Sequence, residues 1–111
     1  MDRVSEYREI VKRVIRDYAA FDPGQAGIEA EVVFNDEQGH YELLYTGWDG
    51  WQRVHGSVIH VDIRAGKVWI QLDGTEDGVA GELVEAGIPR EQIVLAFHHP
   101  SKRKFSEFAV E

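Results

Sequence analysis

From Ile28 to Leu72 apolar and polar residues alternate, and short turn signals divide the stretch into separate runs. A period of two sends successive side chains to opposite faces of a strand, so such a stretch calls for a sheet with one buried face. Ile28-Glu29-Ala30-Glu31-Val32-Val33-Phe34 is the first run, with Ile28, Ala30, Val32 and Phe34 expected inward. Asn35 to Gly39 reads as a polar turn, and His40 to Trp48 as the second strand. Asp49-Gly50, between Trp48 and Trp51, predicts a two-residue hairpin, because Asp-Gly tolerates the positive φ of a type I′ turn. A third strand is expected from Gln52 to Arg64, a tight turn at Ala65-Gly66, and a fourth strand from Lys67 to Leu72. Neighbouring strands joined this tightly give an antiparallel meander.

The alternation changes parity partway. With Trp48 opposite Trp51, Tyr45 falls against Val54 and Leu43 against Gly56, and Tyr41, Leu43, Tyr45, Val54 and Val58 share a face. Beyond Gly56 the apolar residues become Ile59, Val61 and Ile63, matched across the next turn by Val68, Ile70 and Leu72. A β-bulge near Gly56 would return both sets to one face, and glycine inside a strand often marks one. The alternative is a sheet buried on different sides at its two ends.

Helical spacing flanks this region. Val4, Tyr7, Ile10, Val11, Val14, Ile15 and Tyr18 recur every three or four residues and form one stripe, with Asp2 as N-cap and Asp22-Pro23-Gly24 as the stop. Asp73-Gly74-Thr75-Glu76 reads as the start of a second helix carrying Val79, Ala80, Leu83 and Val84, ended by Gly87-Ile88-Pro89. Ile93-Val94-Leu95-Ala96-Phe97 reads as a buried last strand, followed by a tail from Pro100. The expectation is an α+β fold over residues 1–111 as one domain: N-terminal helix, antiparallel meander of about four strands, second helix, final strand and tail.

Charge narrows the functional classes. Twelve Lys and Arg against 20 Asp and Glu leave a net charge of −8. Such a chain repels nucleic acid at long range unless its cations are gathered on one surface. Two groups are candidates: Arg8, Lys12 and Arg16, spaced by four on the first helix, and Lys102-Arg103-Lys104 in the tail. Asp2, Glu6, Glu9 and Asp17 intersperse the helical group, which favours a solvated face. There is no cysteine, so disulfides, thiolate nucleophiles and cysteine metal sites are excluded. The charged opening, Met1-Asp2-Arg3, lacks the apolar stretch of a secretory signal, and no run of residues is apolar enough to cross a bilayer; a cytoplasmic location is expected.

The chemistry-bearing residues are few. Asp73-x-Thr75-x-Asp77-Gly78 resembles the start of a calcium loop, but position twelve is Val84 where a bidentate Glu is needed, so a helix cap is favoured. His60 and Asp62 share a strand face and could pair with each other or, joined by Asp73, serve a metal-assisted hydrolase. His98 and His99 point opposite ways if the strand continues. No nucleophile elbow or glycine-rich phosphate loop is present. Trp69, expected beside Asp62 on the face away from Val68 and Ile70, is either covered by the first helix or presented to a partner. The expectation is no enzyme, no metal and no cofactor, with Trp69, His60, Asp62, Lys102, Arg103 and Lys104 as candidate partner-binding residues.

Several longer motifs resemble one family. Arg53-Val54-His55-Gly56 leading into Val61-Asp62-Ile63, Val68-Trp69-Ile70-Gln71 with Asp73-Gly74-Thr75-Glu76, Glu82-Leu83-Val84 with Gly87-Ile88-Pro89, and Ile93-Val94-Leu95-Ala96-Phe97-His98 with Pro100 are similar to the XisI family. Those proteins are described as controlling factors for excision of the fdxN element in cyanobacteria. A proline often stands in the family where this chain has His99, so the resemblance implies no role for His99. It implies a regulatory part in a programmed DNA rearrangement, beside a recombinase and an XisH-like companion similar to nuclease-fold proteins, and it supplies no catalytic residues. Protein–protein contact is the first expectation. Direct DNA binding by the first helix and basic tail is the alternative, and self-association through the Trp69 face is a further option.

Overall fold

The computed structural model describes residues 2–21 and 26–111. The order is α1 (Arg3–Ala20), β1 (Ile28–Asn35), β2 (His40–Asp49), β3 (Gln52–Arg64), β4 (Lys67–Asp73), α2 (Val79–Glu85), a 3-10 turn (Arg90–Gln92), β5 (Ile93–Leu95) and α3 (Pro100–Arg103). Asp2 caps α1, its Oδ1 accepting from the Ser5 amide at 2.8 Å. The expected stop at Asp22-Pro23-Gly24 lies outside the described residues.

The five strands run in chain order, β1-β2-β3-β4-β5. The first four form the expected meander, but β5 lies parallel to β4, so the sheet is mixed. A parallel return requires a crossover connection, and α2 supplies it. The last strand is also shorter than its apolar run: it ends at Leu95, where Ala96 donates to the Ile70 carbonyl and His98 turns back onto that of Leu95.

Two bulges decide the faces. Leu43 pairs with Ile59 but Leu44 with Ser57, leaving Val58 as the extra residue, two positions past Gly56. Ile59, Val61 and Ile63 thereby join Tyr41 and Leu43 in one core. The second bulge is unforeseen: His60 pairs with Leu72 but Val61 with Ile70, so Gln71 is extra. Leu72, expected inward, is turned to the opposite face and is exposed, while Asp73 takes the core-side position opposite Ile59. Val32 departs from expectation as well: it is exposed, because β1 is an edge strand only partly covered by α1.

The turns carry the chain's positive φ values where they are needed. Ala65 (φ 51) and Gly66 (φ 77) make the β3–β4 turn, matching a type I′ pair. At the β2–β3 turn the closing pair is Asp49 with Gln52, so the central residues are Gly50-Trp51 rather than Asp49-Gly50. Glycine at the first central position (φ 61) suits a type II′ turn, which spares Asp49 a left-handed conformation.

Tyr7, Val11, Val14 and Ile15 of α1 and Val79 and Leu83 of α2, with Ile88 beyond it, close over the apolar face of the sheet. The C-terminus of α2 is sealed by Gly87 (φ 120): Ile88 donates to the Leu83 carbonyl and Gly87 to that of Val84, which returns Ile88 to the core. Its start differs from expectation. Asp73 does not sit at the cap position. Its Oδ1 accepts from the Thr75 amide and hydroxyl, and its Oδ2 reaches the Val79 amide at 2.8 Å, so it caps α2 from six residues away.

Candidate functional site

The face of the sheet turned away from α1 and α2 carries a square of titratable side chains. In the β2–β3 ladder His40 lies opposite Asp62 and Glu42 opposite His60. Each acid therefore has one histidine across the ladder and another two residues along its own strand. His40 Nε2 meets Glu42 Oε1 at 2.9 Å, and His60 Nε2 meets Asp62 Oδ1 at 2.9 Å. His40 Nδ1 approaches that same Asp62 oxygen at 3.3 Å, and the two imidazole centroids are 4.4 Å apart. All four residues are half-buried, Asp62 the most, with 14% of its side chain exposed.

The second oxygen of Asp62 is held separately, by Arg64 Nη2 at 3.0 Å and Gln71 Nε2 at 3.3 Å. Gln71 is the extra residue of the β4 bulge. Burial alone would raise the Asp62 carboxyl, yet the hydrogen bonds from Arg64 and His60 outweigh it and hold the group below its ordinary value. Glu42 behaves alike: burial opposes ionisation, and bonding to His40 and Ser57 overcomes it. Both acids are thus kept as carboxylates beside the two imidazoles. His40, His60 and Asp62 each offer one ligand atom, all within 4.8 Å of one another.

His60 and Asp62 are brought together as expected, but Asp73 is not with them. The Gln71 bulge carries it to the helix side, where it is consumed in capping α2, so the sheet separates the three residues of the hydrolase reading. His40 and Glu42 were missed from the sequence. Their signal is cross-strand register, which required both the Gly50-Trp51 turn and the extra residue at Val58.

Trp69 sits opposite Asp62, on the face away from α1, so the first helix does not cover it. It is half-buried between guanidinium groups, Arg64 at 5.7 Å and Arg103 at 5.9 Å from its ring. Arg103 is otherwise occupied: Nε donates to the His98 carbonyl, Nη2 to Ala96 and Nη1 to Val110. Of the three tail cations only Lys102 and Lys104 are exposed.

In the helical row Arg16 is exposed and Arg8 is half-buried, its Nε without a hydrogen-bond partner among the described residues. Lys12 pairs with Glu9 at 2.9 Å and Asp36 at 3.0 Å with 13% of its side chain exposed, and Arg16 lies over Phe34. Asp36 also accepts from the buried Tyr41 hydroxyl at 2.8 Å, and burial followed by that bond pushes the phenol's pKa upward. Exposed aromatic side chains stand at the β2–β3 hairpin tip, where Trp51 is 100% and Trp48 54% exposed with Arg53 stacked on Trp48 at 5.2 Å, and in the tail, where Lys104 lies over the exposed Phe105. Among the described residues no helix is long and apolar enough to cross a membrane.

Residues 1–110 match a family model described as "XisI protein". The chain is similar to a solved XisI-like protein from Anabaena variabilis ATCC 29413, at 37% identity and a TM-score of 0.91, covering 97% of this chain and 99% of the other. It is also similar to a solved fdxN element excision controlling factor XisI from the same organism, at 33% identity and a TM-score of 0.85, covering 99% of this chain and 100% of the other. No curated protein matches the chain.

Proposed function

The chain belongs to the XisI family, and we propose that it is a non-enzymatic controlling protein of DNA-element excision that works by gripping a protein partner. A relative 33% identical is named an fdxN element excision controlling factor, which supports the excision role. The observation that carries the choice of partner is the fate of the cations. On a chain of net charge −8, Lys12 is tied to Glu9 and Asp36, and Arg103 is spent on the carbonyls of Ala96, His98 and Val110. Of the two groups only Arg16, Lys102 and Lys104 remain exposed, a smaller cationic surface than recognition of a phosphate backbone favours. Trp48, Trp51 and Arg53 at the hairpin tip are residue types enriched where proteins bind one another. An acidic domain suits a partner with a basic surface, such as an XisH-like or recombinase protein.

The experiment is co-purification of the full chain with an XisH-like protein and with the recombinase, next to gel shifts on duplex DNA at moderate salt. The expected result is a protein complex weakened at least tenfold by Trp48→Ala with Trp51→Ala, and no retarded DNA band. A DNA complex lost on charge reversal of Lys102 and Lys104, with neither protein captured, would replace this reading by direct DNA binding.

A further inference from the structure

The square on the uncovered sheet face poses a problem of protons. An ionised Glu42 only accepts hydrogen bonds, so its 2.9 Å contact places a proton on His40 Nε2. A neutral His40 then aims the lone pair of Nδ1 at Asp62 Oδ1, 3.3 Å away, and the same oxygen also receives His60 Nε2. Something electropositive belongs where these three atoms converge. One further proton, on Nδ1, would satisfy that contact, and a metal ion held by all three atoms would satisfy it as well.

We propose that His40 Nδ1, His60 Nε2 and Asp62 Oδ1 form a binding site for a divalent first-row transition metal ion, zinc foremost. Zinc bonds to nitrogen and oxygen are about 2.0–2.2 Å, so tetrahedral ligands stand about 3.3–3.5 Å apart. The 3.3 Å separation already matches, and the 2.9 Å one needs to open by only a few tenths of an ångström. The surroundings are those of a built site. Glu42 holds the far nitrogen of His40, the carboxylate–histidine–metal arrangement that fixes ring orientation and tautomer. Arg64 and Gln71 hold Asp62 Oδ2 and so leave Oδ1 turned to the imidazoles. Two imidazoles favour zinc, nickel or copper over magnesium and calcium. Three protein ligands leave a fourth position, which water fills from the open face. The inference is independent of the partner-binding reading.

The test is calorimetric titration of the chelator-treated full chain with zinc at pH 7.5, with circular dichroism of every variant. One ion per chain is expected, together with a higher melting temperature once zinc is present. His40→Gln and His60→Gln should each weaken binding at least tenfold. Glu42→Gln, which keeps all three ligands, should weaken it about tenfold to a hundredfold. The triple variant His55→Ala, His98→Ala, His99→Ala should bind as wild type. Wild-type chain that takes up no zinc overturns the proposal, whatever the variants do. So does zinc uptake that survives in the folded His40→Gln, His60→Gln double variant, or that matches the response to magnesium.

Discussion

The two faces of the sheet are made by the same three central strands, yet they obey different physics. Toward the helices, Leu43, Ile59, Val61, Val68 and Ile70 are fully buried and packed against α1 and α2. Such a face is held by apolar area and by close packing, each large side chain contributing about 1.5–3 kcal/mol through its removal from water. Toward solvent, His40, Glu42, His60, Asp62 and Gln71 are half-buried and held by paired charge and directed hydrogen bonds. Partly exposed polar contacts of that kind are worth little individually in stability. The helix-covered face therefore maintains the fold. The polar face is free to be chosen for what it binds.

The sharpest way to break this contrast is to truncate one residue from each side. Leu43→Ala should cost about 2–5 kcal/mol in urea unfolding, since it leaves a cavity under α1, whereas His60→Ala should cost less than about 1 kcal/mol. Equal losses would mean that the faces do not divide the labour. Asp73 is the informative exception, a carboxylate on the helix side. Asp73→Ala should cost about 1–2 kcal/mol by removing the cap on Val79, with Asp73→Asn recovering part of it in the same assay.

The smallest effect is expected in acid. Asp62 is held below its ordinary value, so the unfolded chain takes up its proton more readily than the folded one. Its contribution is complete above the unfolded aspartate value of about 3.9, and it disappears as the pH falls through the lower folded value. In unfolding measured from pH 7 down to about pH 2, the gap between wild type and Asp62→Asn should be widest at neutral pH and close in acid. A gap that widens with acid would reverse the sign.

The extents of the first four strands, to within a residue, and the Ala65-Gly66 turn were readable because alternation and turn chemistry are local. The bulge near Gly56 was also readable, since Ile59, Val61 and Ile63 could not otherwise join Leu43. Register was not. Moving the hairpin turn by one residue shifts the pairing by two and leaves every side chain on its own side, so hydrophobicity cannot tell the alternatives apart. That two-residue ambiguity concealed the meeting of His40 with Asp62. Asp73 misled because its spacing imitates a cap at the helix start, while the bulge beside it lets it cap from a distance. The direction of β5 was equally hidden, because a three-residue apolar strand carries no mark of which way it runs.

The extra residue at Val58 acts on β3 as a change of reading frame acts on a message. Upstream of it the even positions, such as Val54 and Gly56, belong with the core; downstream the odd ones do, from Ile59 to Ile63. Changes of length in this strand are consequently quantised. Adding or losing two residues preserves the meaning of everything beyond, while a single residue added to regular pairing would present His60 and Asp62 to the interior and Ile59 and Val61 to water. Relatives that differ here in length are expected to differ by even steps, or to gain or lose the bulge along with the odd one.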